Sequence, residues 1–156
     1  MSERILVVDG HNVMHAWSAT KALLASSNGT STARAHLTSE LSLFHDASGW
    51  KVLLVFDRAS QTVNQSADRS SDSDGIKVIF ADGKRSADGI IESITAQFAK
   101  DCEMLVASND RAVAAAAMGN GAEVVSARGL RDLIDRHEKQ YRERNRGYFR
   151  DRDRRP

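Results

Sequence analysis

Residues 4–12 read Arg4-Ile5-Leu6-Val7-Val8-Asp9-Gly10-His11-Asn12, an apolar, β-branched run that ends on a carboxylate and a glycine. A short run with no polar alternation is what a strand covered on both faces of a parallel sheet requires. Four more runs of the same kind follow: Val52–Phe56, Ile76–Phe80, Met104–Ala107 and Ala122–Val125. Between them lie stretches of helical period. Residues 31–47 set Ala35, Leu37, Leu41, Leu43 and Phe44 near a 3.6-residue repeat, and residues 86–100 set Ala87, Ile90, Ile91, Ile94 and Phe98 on one stripe. Residues 110–118 are alanine-rich, which favours helix, with Gly119 or Gly121 to stop it. A last helix starts near Ala127 and runs beyond Tyr141, with Leu130, Leu133 and Ile134 as its apolar face.

Strands alternating with helices predict an α/β fold, a three-layer α/β/α sandwich with a mostly parallel central sheet of about five strands. Residues 58–75, rich in Ser, Asp, Asn and Gln, carry no apolar period and read as a long loop between the second and third strands. A loop of that length in a compact domain is often functional. Residues 1–138 read as one folded domain, and 139–156 as a basic tail, the end of a helix followed by chain without structure.

The net charge of +1 hides an asymmetry. Residues 139–156 hold eight basic and three acidic residues, leaving fourteen basic against eighteen acidic in the body. An acidic body with a basic tail fits a nucleic-acid partner, though a solvated tail would have the same composition. Tyr141, Tyr148 and Phe149 among the arginines would add base stacking to phosphate contact. The single cysteine, Cys102, excludes an internal disulfide framework and reads as a packing residue. No apolar run approaches the roughly 18–20 residues of a membrane span. With no leader-like segment before the first strand, the expected compartment is the cytoplasm.

In open α/β sheets, ligands bind where the strands end. Asp9 ends the first strand and Asp57 the second. Asp88 stands at the helix start after the third, with Glu92 one turn on, and Asp110 follows the fourth. Singly, each has an ordinary explanation, since Asp88 and Asp110 suit the first turn of a helix or its cap. Four carboxylates at one sheet edge repel one another, and a divalent cation or a basic partner relieves that repulsion. An oxygen-only set without zinc-spaced Cys or His points to Mg2+ or Mn2+. Such a site can activate water against a phosphodiester. Asn12, three residues beyond Asp9, can orient a carboxylate or a phosphate without adding charge.

The order Val-Asp9-Gly-His-Asn12-Val, Val-Phe-Asp57, Ser-Ala-Asp88-Gly-Ile-Ile-Glu92 and Ala-Ser-Asn-Asp110 resembles the NYN domains, relatives of the PIN nucleases, and most closely their YacP-like branch. The similarity extends over roughly residues 3–137. It implies a PIN-like fold and a metal-dependent endoribonuclease with its acidic site on Asp9, Asp57, Asp88 and Asp110, and Asn12 at the motif asparagine. It further implies messenger RNA cleavage in association with the ribosome, for which a basic tail would be useful. Two positions depart from the pattern. His11 stands where a tyrosine is common, and Arg58 where a small residue is expected, close enough in sequence to pair with Asp57.

The resulting expectation is that Asp9, Asp88 and Asp110 hold one or two Mg2+ or Mn2+ ions, with Glu92 a further ligand or a neighbour. Asp57 completes the site, and Asn12 orients Asp9 or the scissile phosphate. His11, Arg58, Lys84, Arg85 and Arg111 are candidates to meet RNA near the site, and Arg142, Arg144 and Arg146 in the tail; plain solvation is the alternative for each. His15, His36, His45 and His137 show no catalytic spacing, Trp17 and Trp50 read as packing, and Ser86 and Ser108 as caps or supporting donors. Two other functions compete: a catalytically silent PIN-like module that binds RNA or a partner, and an aspartate-based phosphatase or phosphotransfer domain. The second fits poorly, because His11 occupies the place of a dehalogenase-type phosphatase's second aspartate.

Overall fold

The computed structural model describes residues 3–57, 70–73 and 75–153. In chain order the elements are β1 (Arg4–Asp9), α1 (Gly10–Ala16), α2 (Ser18–Leu24), α3 (Gly29–Ser48), β2 (Lys51–Phe56), β3 (Ser70–Ser73), β4 (Ile76–Phe80), α4 (Ala87–Phe98), β5 (Glu103–Ala107), α5 (Arg111–Gly119), β6 (Glu123–Val125) and α6 (Ala127–Asp153). The sheet order is β3-β4-β2-β1-β5-β6. All pairings are parallel except β3 with β4.

The five apolar runs are the five parallel strands, and the fold is the α/β sandwich expected. Strand parity divides the core. Leu6, Val8, Leu54 and Phe56 pack on one face with α1, α3 and the start of α6. Val7, Val55 and Val106 pack on the other with Ala87 and Ile91 of α4 and Val113 and Ala117 of α5. β1 pairs with β2 on one side and β5 on the other, so the strand order reverses beside it and opens a crevice at its carboxyl end.

Local chemistry sets the ends of the helices. α3 stops at Gly49, whose φ of 77° places it in the left-handed region. After α5, Gly121 adopts φ 98°, its N–H reaching Met118 O and that of Ala122 reaching Ala117 O, the paired bonds of a Schellman turn. Trp17 is buried, and its indole Nε1 donates to Ala127 O at 2.7 Å, pinning the start of α6 to the body.

The structure departs from the sequence reading, or adds to it, at three places. The stretch 58–75 is not loop throughout: Ser70–Ser73 forms a sixth, antiparallel strand on the β4 edge, in register from Ser70 opposite Ile79 to Ser73 opposite Ile76. The segment is polar and pairs through its backbone, so no apolar signal marks it. Second, α1 and α2 fill residues 10–24, which carried no assignment; seven residues each are too few to establish a period. Third, the helix expected to give way to unstructured chain in the tail continues to Asp153. Among the residues of α6 whose side chains are described, the last buried one is Ile134, and the His137 ring still meets Phe44 edge-on at 5.3 Å. No described helix is long and apolar enough to cross a membrane.

Candidate active site

The parity that buries Val7, Val55 and Val106 carries Asp9, Asp57 and Ser108, two residues further along each strand, to the carboxyl edge on the α4 and α5 side. Asp9 is only 4% exposed. Its Oδ2 accepts a 2.8 Å hydrogen bond from Ser108 Oγ, 99 residues away. The same hydroxyl oxygen accepts the Asp110 N–H at 3.0 Å, so one serine ties the buried carboxylate to the start of α5. Burial is the largest influence on the Asp9 carboxyl. The Ser108 bond opposes it, the charges of Asp88 and Asp57 add to it, and the pKa is raised to about 6.

Asp110 has the capping role considered for it: its Oδ1 accepts the N–H groups of Ala112 at 2.8 Å and Val113 at 3.2 Å. Asp88 is a first-turn acid of α4, whose cap is Ser86, accepting the Gly89 N–H. The Asp88 carboxyl is raised, by desolvation first and then by Asp110 and Asp57. Asp57, at the end of β2, accepts the Ala87 N–H at 3.3 Å and so meets the first residue of α4. Capping and coupling thus coexist in one group.

Asn12 reaches across to β5. Its Oδ1 accepts the Asn109 N–H at 2.7 Å, and Asn109 Oδ1 in turn accepts the Ala127 N–H at 2.9 Å. The chain Asn12–Asn109–Ala127 braces the turn that presents Asp110. Asn109 was not singled out from the sequence; its place in the run Ser-Asn-Asp was the available signal.

Among the described residues, none of the four aspartates has a basic partner. Nor do three or more Asp, Glu, His or Cys side chains among them close to metal-ligand spacing. The donor set is nonetheless all oxygen and its charge uncompensated, which suits a hard divalent cation held partly through water. Glu92 is exposed and is not among the groups that raise Asp88.

An open cleft of about 430 Å³ is lined by Asp57 and residues 81–86, which brings Lys84 and Arg85 beside the acids. Asp82 Oδ1 accepts the N–H groups of Lys84 and Arg85 and shapes that turn. Arg111 is exposed next to Asp110. His11 is exposed on α1, its ring centroid 4.3 Å from that of His15. Arg58 lies outside the described residues. Arg142, Arg144 and Arg146 are exposed on the distal part of α6, away from the aspartates, with Arg142 paired to Glu138 at 2.8 Å.

Among curated proteins, none matches the chain. Among solved structures, the crystal structure of Rae1 (YacP) from Bacillus subtilis superposes with a TM-score of 0.75 at 25% identity, covering 96% of this chain and 83% of that one. The W164L mutant of the same protein gives a TM-score of 0.74 at 27% identity, over 93% of this chain and 82% of the other. The model of the YacP-like NYN domain matches residues 6–155, past the boundary at 138 and through the distal helix, and the chain belongs to that family of PIN-like nuclease fold.

Proposed function

We propose that this protein is a metal-dependent endoribonuclease that hydrolyses phosphodiester bonds at the Asp9, Asp57, Asp88 and Asp110 edge. The observation that carries this reading is electrostatic. Asp9 feels Asp88 and Asp57, and Asp88 feels Asp110 and Asp57, with no basic side chain among the described residues to offset them. Keeping such a group destabilises the free protein, which makes sense where a cation and a phosphate come to it. Asp9, Asp88 and Asp110 would hold Mg2+ or Mn2+, directly or through water, with Glu92 at most at the periphery. When bound, the cation lowers the pKa of a water and offsets the charge that develops on the phosphodiester oxygens.

The chain's own residues do the rest. Ser108 fixes Oδ2 of Asp9, and the Asn12 backbone N–H gives the carboxylate a second donor. Asn12 holds the Asn109 turn, so Asp110 can cap α5 through Oδ1 and present Oδ2. Lys84, Arg85 and Arg111 meet the flanking phosphates, and His11 lies against the strand near Asp9. The ribose 2′-hydroxyl takes no part in this chemistry, so preference for RNA comes from binding. The proposed substrate is messenger RNA on the ribosome, in the cytoplasm, with the exposed arginines of α6 as the arm that meets the ribonucleoprotein.

The test is cleavage of single-stranded and ribosome-bound RNA in Mn2+ by the native chain and by Asp88→Asn. Cleavage by the native chain that disappears in a folded Asp88→Asn protein supports the proposal. Equal cleavage by both overturns the site, and RNA binding with no cleavage in either setting identifies a silent binding module.

A further inference from the structure

Arg34 lies on α3, on the sheet face opposite the aspartates. Its guanidinium carbon stands 5.1 Å from the Phe56 ring centroid and 5.4 Å from that of Phe80. The two rings stack on each other at 5.6 Å. Arg34 Nε is buried and has no hydrogen-bond partner among the described residues. Desolvation lowers its pKa, and among the described residues no acidic neighbour acts to raise it. The aromatic faces offset part of the cost of taking this cation from water, but they leave the N–H unused. For the folded protein alone, that arrangement is a liability.

Its position gives it a use. Phe56 is the last residue of β2, immediately before Asp57, and pairs in register with Phe80 at the end of β4. Beyond Phe80, the chain passes into the cleft shared with Asp57. The Phe56 ring also lies against Gly10, the residue after Asp9; a Cβ there would stand 2.5 Å from Phe56 Cδ1. One aromatic ring therefore touches both the Arg34 guanidinium and the backbone next to Asp9.

We propose that Arg34 is a substrate-positioning residue that binds a backbone phosphate neighbouring the scissile one. This rests on the ribonuclease reading. The two Nη groups form the planar edge that matches two phosphate oxygens, while the buried Nε and the ring faces hold the guanidinium in plane before RNA arrives.

The experiment uses the full chain in EDTA, where no cleavage occurs, with a short fluorescein-labelled oligouridylate titrated across a salt series. Arg34→Met keeps the apolar stem and removes the charge. It is expected to weaken binding about tenfold, the loss of one charge-assisted hydrogen-bonded contact. The slope of log affinity against log salt becomes shallower by about 0.7, one phosphate fewer. Its thermal midpoint stays level or rises, because a desolvated cation with an unused donor has gone; a residue kept for folding would lower it. Arg34→Lys, with charge but no fork, falls between the two. In the native protein the Arg34 Nε–H resonance shifts when RNA is added. Native affinity and slope in Arg34→Met, or an Nε–H signal unmoved by bound RNA, overturns the assignment while leaving the ribonuclease reading standing. If the native chain itself binds no RNA, that reading fails and this one with it.

Discussion

Ser108 Oγ donates to Asp9 Oδ2 at 2.8 Å while accepting the Asp110 N–H at 3.0 Å. The hydroxyl is buried between two strand ends that are neighbours only through the β1–β5 pairing. It opposes the effect of burial on Asp9 by giving the charged form a donor. Ser108→Ala should therefore push the Asp9 pKa further up and move the acidic limb of the cleavage profile to higher pH. The lost bonds should cost about 1–3 kcal/mol, more at pH 8 than at pH 4. Urea unfolding at the two pH values, beside a pH–rate profile, checks both effects.

Asp9→Asn should abolish cleavage and yet stabilise the metal-free fold at pH 8. The folded carboxyl titrates near 6 and the unfolded one near 3.8. The native state thus holds its proton longer, and stability falls as pH rises through that window. Asparagine removes the penalty, a gain of up to about 3 kcal/mol above pH 6 that disappears below pH 4. Equal unfolding free energies of the two proteins at pH 8 would contradict the buried, charge-crowded environment assigned to Asp9.

Mn2+ should raise the thermal midpoint of the native chain at pH 8 and much less at pH 5, where protons compete for Asp9. With free metal at a hundred times its Kd, the shift corresponds to about 2.7 kcal/mol. Asp9→Asn and Asp88→Asn should each suppress it. Differential scanning calorimetry with and without EDTA reads this directly, and a native protein indifferent to Mn2+ would count against the metal.

Removal of residues 139–156 should leave the fold almost intact, since Ile134 is the last buried side chain among the described residues of α6. RNA or ribosome binding should weaken and lose much of its salt dependence with the exposed arginines gone. Circular dichroism controls for folding, and sedimentation with ribosomes measures the interaction. Unaltered sedimentation would free α6 of this role.

Asp9, Asp57, Asp88 and Asp110 were legible because each directly follows, or begins the helix after, an apolar run that can only be a covered strand. Asn12 came from its spacing to Asp9 and its place in a recognisable opening. Ser70–Ser73 was invisible for the opposite reason: it is a polar segment paired with β4 through the backbone, and backbone bonds leave no trace in composition.

From the sequence alone follow the five parallel strands, the two helical layers and a set of carboxylates at one edge, since these depend on local apolar pattern and the rule that ligands bind where strands end. Tertiary structure decided the partnerships. The bond from Ser108 to Asp9 spans 99 residues, that from Asn109 to Asn12 spans 97, and the Phe56–Phe80 bed for Arg34 needs β2 and β4 side by side. Which side chains meet across such distances is set by strand register and burial, and only the folded chain has either.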